Sequence, residues 1–595
     1  MSFFDLKGTL KPLTALKQFG KKPHTISYPK VSKEAADRYR GLHFNDLEEC
    51  IGCGNCATIC QNAAIDMIHI EGIEGQKGDS GLRPRVDNGR CCWCALCVEV
   101  CPTGSLSLTK DYLYVSDDAD SFLWIPGVDN PEGKDNLSFT SEENSLNDYT
   151  RIPMPELEGK ERVKSFAEVV LGYNEEQARA EASRCISCGI CTEVCPDHMH
   201  IPEYINAIAR GDDKEAVRII YDNNPLPEMC GKVCTRRCED VCAIAHRGEP
   251  IAIRWLKRYA TETAETAEIT KEIVHPEIRV PNGKKIGIVG AGPSGLTAGY
   301  YLALRGYDVT IYEANAKAGG ATMYGIPKYR FPQDSLDKQI DYIQSIGVKI
   351  HFNTKVGKDI AFDKIYNDND AVFMGVGFPD AWSLGVEGEN AKGSMQAFRY
   401  LYMINSGEKV DIGDKVVVVG GGNVAIDAAR VSRRFGADVT ILYRRRVQDM
   451  PADWEEIEGA EDEGIHIIPQ GIPVKIHEDK KGRVKSIEYL KAEMVADDKG
   501  GRPKPVAIEG SNTILEATSV MAAIGQMGDY SFLGKEFEEK IKIERGRFVV
   551  NEKQQTTDPK VFAGGDAANR TADAISAIAD GFRACKAIDE MLMKK

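Results

Sequence analysis

The chain has 595 residues, 42% hydrophobic and 28% charged, a length for about four domains and a composition that excludes a disordered or collagen-like polypeptide. Acidic residues number 90 against 75 basic ones, and the resulting charge of -15 disfavours nucleic acid and anionic membrane surfaces as partners. Of the 18 cysteines all but Cys585 precede residue 243, which points to metal binding in a reducing cytoplasm rather than to disulfides. No secretory signal is expected, nor a membrane span. The one long uncharged stretch, Ile286 to Leu304, contains GAGPSG, which suits a strand-to-helix turn.

Residues 1–112 read as a bacterial-type ferredoxin domain with an N-terminal extension. Cys50, Cys53, Cys56 and Cys60 follow C-x2-C-x2-C-x3-C, and Cys91, Cys94, Cys97 and Cys101 repeat it before Pro102. This is the run that holds two [4Fe–4S] clusters, each quartet lending its fourth cysteine to the other cluster. The expected ligand sets are Cys50, Cys53, Cys56 with Cys101, and Cys91, Cys94, Cys97 with Cys60. Structural zinc would prefer two well-separated C-x2-C pairs. Gln61 stands where proline is usual after the fourth cysteine. The lead-in KKPHTISYPKVSKEAADRYRGLHFND resembles that of the ferredoxin-like subunit of respiratory complex I and related hydrogenases.

Residues 113–160 carry most of a stretch, Asp111 to Lys160, with twelve acidic and three basic residues and prolines at 126, 131, 153 and 155, and read as an acidic linker. Residues 161–275 keep apolar residues at three-to-four spacing, a helical pattern. Among those helices lie Cys185, Cys188, Cys191 and Cys195, with the ferredoxin spacing, and Cys230, Cys234, Cys238 and Cys242, with three residues between each pair. EASRCISCGICTEVCP, IPEYINAIARGDDKEA and NPLPEMCGKVCTRRCEDVC together resemble the N-terminal iron–sulfur domain of the glutamate synthase small subunit family. That domain also occurs in dihydropyrimidine dehydrogenase and in the large subunit of the ferredoxin-dependent NADH:NADP transhydrogenase. The resemblance implies one cluster on Cys185, Cys188, Cys191 and Cys242 and a second on Cys195, Cys234 and Cys238. Where some relatives complete the second cluster with Gln or Glu, this chain has Lys257, so Cys230 is the expected fourth ligand. Sixteen cysteines are thus assigned to four clusters, and Cys92 and Cys585 remain as ordinary small residues.

From Lys284 onward short apolar strands alternate with glycine turns and helices, as in parallel sheets covered by helices. Residues 284–400 and 511–595 read as an FAD-binding domain. Gly290, Gly292 and Gly295 follow the strand KIGIVG, and eighteen residues later the next strand ends at Glu313, an acceptor for ribose hydroxyls. GGATMYGIPKYRFP, residues 319–332, matches the glutamate synthase small subunit family closely, and implies that Gly320, Ala321 and Arg330 line the FAD site. DPKVFAGGDAANRTADAISAIADG resembles the second flavin motif of two-dinucleotide-domain flavoproteins, which implies Gly565, Asp566 on the ribityl chain and Ala574 facing the isoalloxazine. Val356 joins the same expected site. Residues 411–510 read as an inserted NADPH-binding domain, where KVVVVGGGNVAIDAAR places Gly420, Gly422, Asn423, Val424 and Ala425 at a strand-to-helix turn. The following strand ends in Arg444 and Arg445 rather than an acid, which favours a 2′-phosphate. Ala523, Ile524 and Gly525 resemble the family loop at the nicotinamide.

The expected fold is therefore multidomain: a ferredoxin domain, a helical iron–sulfur domain and two Rossmann-type α/β domains, the second inserted in the first. No cysteine lies between Cys242 and Cys585, so electrons leaving the flavin have no redox disulfide to reach in the α/β half. The expected activity is a cytoplasmic NAD(P)H-dependent flavin iron–sulfur oxidoreductase with FAD, NADP(H) and four [4Fe–4S] clusters, whose hydride transfer needs no catalytic side chain. Its expected partners are other redox subunits, or ferredoxin, in a transhydrogenase-type complex, electron-bifurcating or not. The alternatives are the small subunit of an NADPH glutamate synthase-like enzyme and a non-catalytic electron conduit.

Overall fold

The computed structural model describes residues 11–262, 279–496 and 503–593, less Pro29, Ser32, Gln76, Leu113, 130–132 and Glu143. Pro131 and the expected boundary at residue 275 lie outside the described residues. Two compact units divide between Asp148 and Tyr149.

In the first unit His43–Asn45 pairs antiparallel with Leu106–Thr109, and Ile65–His69 with Leu82–Asp87. Val86, Val98, Leu108 and Phe139 fill its core. The segment expected as an acidic linker is divided between the units. Leu123–Trp124 adds an edge strand through Val86↔Trp124, and Leu137–Phe139 adds another through Leu108↔Phe139. Asp117, Asp118 and Asp120 are exposed while Phe139 is buried, so the acidic surface hides a few core-forming residues.

The second unit opens on helices, among them Glu175–Ser183, Ile201–Ala209, Asp213–Tyr221, Pro227–Val233 and Ile253–Glu262. Asn174 starts the first of these with a capping box shared with Gln177. Tyr204, Leu256, Ile288 and Leu302 belong to one continuous core, so these helices share their interior with the first parallel sheet. That sheet has the order Val561–Ala563, Ala371–Met374, Lys285–Val289, Asp308–Tyr312 and Lys349–His351. The second has the order Ser394–Gln396, Ser519–Ala522, Lys415–Val419, Asp438–Leu442 and His466–Ile468. It therefore takes one strand from each side of the expected insertion, residues 411–510. Parallel pairing joins strands remote in sequence, so a boundary drawn from local texture falls short.

Candidate redox centre

Three of the cysteine quartets share a local backbone device. The residue before the second cysteine and the one after it both have positive φ: Gly52 and Gly54, Trp93 and Ala95, Ser187 and Gly189. Each pair turns the chain twice within six residues, and a helix begins directly afterwards, at Asn55, Leu96 and Ile190. Such left-handed turns cost Trp93, Ala95 and Ser187 about 1 kcal/mol or more each. Thiols with two residues between them are thereby set on the same concave side.

Cys50, Cys53, Cys56 and Cys101 line one hollow. Cys185, Cys188, Cys191 and Cys242 line a second. Cys195, Cys234 and Cys238 line a third together with Lys257; Cys230, fully buried, interacts with Cys234 and Lys257 but does not line that hollow. Cys60, Cys91, Cys94 and Cys97 interact electrostatically as a fourth group. Burial pushes the Cys97 and Cys185 thiols up to about 12, so ligation must exchange their protons for a positive core. Among the described residues no three His, Cys, Asp or Glu side chains converge tightly enough to hold a single metal ion. Thiols arrayed around a hollow instead fit a polynuclear iron–sulfur core, which is wider than one zinc ion.

The first dinucleotide turn is built for close approach. Gly290 has φ +94, and a Cβ there would lie 2.5 Å from the Gly375 carbonyl oxygen. A Cβ at Gly295 would come within 2.1 Å of the Gly290 oxygen, so helix Pro293–Leu304 packs directly on the turn. At Gly292 the nearest atom to such a Cβ is 3.9 Å away, and no side chain caps the helix there. Open space beside uncapped amides fits a pyrophosphate. Glu313 is buried, and its carboxylate accepts from the Ala291 and Asn315 amides, both at 2.8 Å. Gly320 sits over the turn, its Cβ position 3.1 Å from the Gly292 Cα, and starts helix Ala321–Tyr324. Val356 is buried.

Arg330 reaches the second Rossmann unit, bonding Asp427 at 2.9 Å and Glu456 at 3.0 Å. Gly565 has φ +70, and its amide donates to Asp580 on the long helix Ala574–Met593. Burial, followed by the neighbouring Asp573 charge, pushes Asp566 up to about 6.

The second turn repeats the design. Gly420 has φ +147 against the Ala523 carbonyl, and Gly422 starts helix Asn423–Arg434 without a side-chain cap. Asn423 accepts from the Asp453 amide at 2.9 Å, Val424 is half-buried and Ala425 is fully buried. Beyond the strand, Arg446 is tied to Asp449 at 2.8 Å and Arg445 Nε donates to the Pro503 carbonyl. Arg444 is exposed and makes no salt bridge among the described residues. Ile524 is exposed, and Gly525 borders exposed Trp382, whose amide donates to the Gly525 carbonyl.

What sequence reasoning missed is the set of cations at the third hollow, Arg236, Arg237 and Arg254 beside Lys257. Their residue types were visible, but their convergence depends on how the turn at Arg236 and Arg237 packs against helix Ile253–Glu262.

Residues 49–105 match the 4Fe-4S dicluster domain, and residues 162–269 match dihydropyrimidine dehydrogenase domain II, 4Fe-4S cluster. Residues 284–581 match pyridine nucleotide-disulphide oxidoreductase. The chain is 36% identical over 436 residues to the NADPH-Fe(3+) oxidoreductase subunit beta of Geobacter sulfurreducens, covering 68% of this chain and 63% of that one. It is 35% identical to the NADP(+)-dependent formate dehydrogenase subunit beta of Moorella thermoacetica, covering 73% of this chain and 65% of that protein. Against the glutamate synthase [NADPH] small chain of Escherichia coli it is 32% identical, covering 74% of this chain and 97% of the relative. The chain thus spans less than two thirds of the first two relatives. No described helix is long and apolar enough to cross a membrane.

Proposed function

The chain belongs to the pyridine nucleotide-disulphide oxidoreductase family, and from that membership we propose that it is the NADPH-oxidising flavin iron–sulfur subunit of a larger redox complex. FAD held at the first turn would supply a two-electron acceptor for the NADPH hydride, and four [4Fe–4S] clusters on the cysteine sets would supply one-electron carriers. The side chains bind and orient. Gly292 and Glu313 would hold the FAD pyrophosphate and ribose, Gly290 and Gly295 letting the turn close on its helix, and Gly420, Gly422 and Arg444 would hold NADPH. No nucleophile or general base is required, because the geometry that sets nicotinamide against flavin does the work.

The observation that carries this reading is the position of Ile575. It lines the hollow of Cys195, Cys234 and Cys238 and follows Ala574, the residue expected at the isoalloxazine. On this reading flavin and cluster share one helix end. The only cysteine of the α/β half is Cys585, buried and with Arg305 beside its sulfur at 3.1 Å, so the disulfide of the family name has no counterpart here. Relatives named as beta subunits support partner subunits that receive the electrons, with ferredoxin as an alternative carrier.

Protein purified without oxygen is expected to contain one FAD and about sixteen irons per chain. Cys230→Ala is expected to lower iron to about twelve with FAD retained, as loss of one four-iron cluster requires. Iron and flavin assays check both; unchanged iron in the variant would remove Cys230 from the ligand set.

A further inference from the structure

The two hollows of the helical region differ sharply in charge. Around Cys195, Cys234 and Cys238 stand Arg236, Arg237, Arg254 and Lys257. Around Cys185, Cys188, Cys191 and Cys242 every other lining residue is uncharged, with Ile186, Ile205, Ile244 and Ile251 prominent. The arginines are committed to carboxylates: Arg236 to Asp453 at 2.7 Å, Arg254 to Glu455 at 2.6 Å and Arg237 to Asp573 at 2.5 Å. Lys257 differs. It is buried, its Nζ contacts Met199 Sδ at 3.3 Å, and the buried Asp197 carboxylate interacts with it without closing a salt bridge among the described residues.

Each one-electron reduction adds a negative charge to a cluster that already carries excess thiolate charge. In a buried site a neighbouring cation stabilises that added charge far more than it would in water. An apolar hollow offers no such compensation. We propose that the cluster held at Cys195, Cys234 and Cys238 has the higher potential of the pair, takes the first electron from the flavin, and owes this rank to Lys257. The proposal rests on the oxidoreductase reading above and adds to it the order in which the two clusters fill. The electron comes from NADPH through the bound flavin, and no bond forms or breaks at the cluster.

The test is an EPR-monitored potential titration of the full-length holoprotein. Cys185→Ser identifies the apolar-hollow cluster by removing its signal. Lys257→Met, which keeps length and removes charge, is expected to shift a different signal roughly tenfold toward the oxidised form at fixed potential, equivalent to 59 mV for one electron. In the unsubstituted protein that signal should titrate above the one assigned through Cys185, and Lys257→Arg should leave it in place. Full iron content with unmoved midpoints in Lys257→Met would overturn the proposal, as would finding the shifted signal to be the lower of the two. If Lys257→Met loses iron, Lys257→Leu is titrated in its place: a fall in the same midpoint supports the proposal and an unchanged one overturns it. Unsubstituted protein without iron would overturn the oxidoreductase reading itself, and this proposal with it.

Discussion

Gly292→Ala is expected to fold normally and lose its FAD, whereas Gly295→Ala is expected to lose stability first. The two glycines lie three residues apart in one turn, yet their surroundings separate the roles. At Gly292 the backbone has φ -76, which any residue adopts, and the nearest atom to an added Cβ is 3.9 Å away. A methyl group there meets no protein, only the volume a pyrophosphate would occupy. Flavin affinity should fall about 100-fold, near 3 kcal/mol, with an unchanged melting transition in flavin-free protein. At Gly295 the methyl would press to 2.1 Å from the Gly290 carbonyl oxygen, a backbone atom that cannot rotate away. The cost is about 3 kcal/mol of stability, at the upper end for overpacking. Flavin content after desalting and a urea melt measure both. A Gly292→Ala protein that keeps its flavin would mean that the open side of this turn does not face the cofactor.

The second large effect concerns nucleotide choice. Arg444→Ala combined with Arg445→Ala is expected to weaken NADPH relative to NADH by about 2–3 kcal/mol, through loss of charge-assisted hydrogen bonds to the 2′-phosphate. The arginines are not equivalent. Arg446 is held by Asp449 and Arg445 is partly spent on the Pro503 carbonyl, while exposed Arg444 is available. Arg444→Ala alone should therefore give most of the discrimination and Arg446→Ala little. Binding titrations with the two nucleotides check this, and equal weakening of both would show that the arginines do not read the phosphate.

Much of the candidate site was legible in the sequence because its chemistry demands local spacing. Thiols that share a cluster must sit on tight turns, and C-x2-C-x2-C records those turns directly, down to Gly52, Gly54 and Gly189 at positive φ. The dinucleotide turns are likewise local, strand to glycine to helix. What escaped was non-local. The short strands Leu123–Trp124 and Leu137–Phe139 leave almost no periodicity, and the acidic residues around them dominated the composition. Strands Ser394–Gln396 and Ser519–Ala522 pair with each other across more than a hundred residues. Arg330, expected from its motif to line the FAD site, has its guanidinium engaged by Asp427 and Glu456, partners that no local pattern reveals. Lys257 drew notice only as a missing ligand, since its burial beside four thiols emerges only when helices Pro227–Val233 and Ile253–Glu262 pack together.

The account stands on electrons entering as a pair from NADPH and leaving one at a time through iron. Its most direct test is an oxygen-free titration of the isolated holoprotein with NADPH, following flavin absorbance and cluster EPR together. Bleaching of the flavin, with signals from reduced clusters rising in the same titration, is the predicted result. A flavin that stays oxidised in excess NADPH, in protein whose clusters dithionite readily reduces, would contradict it.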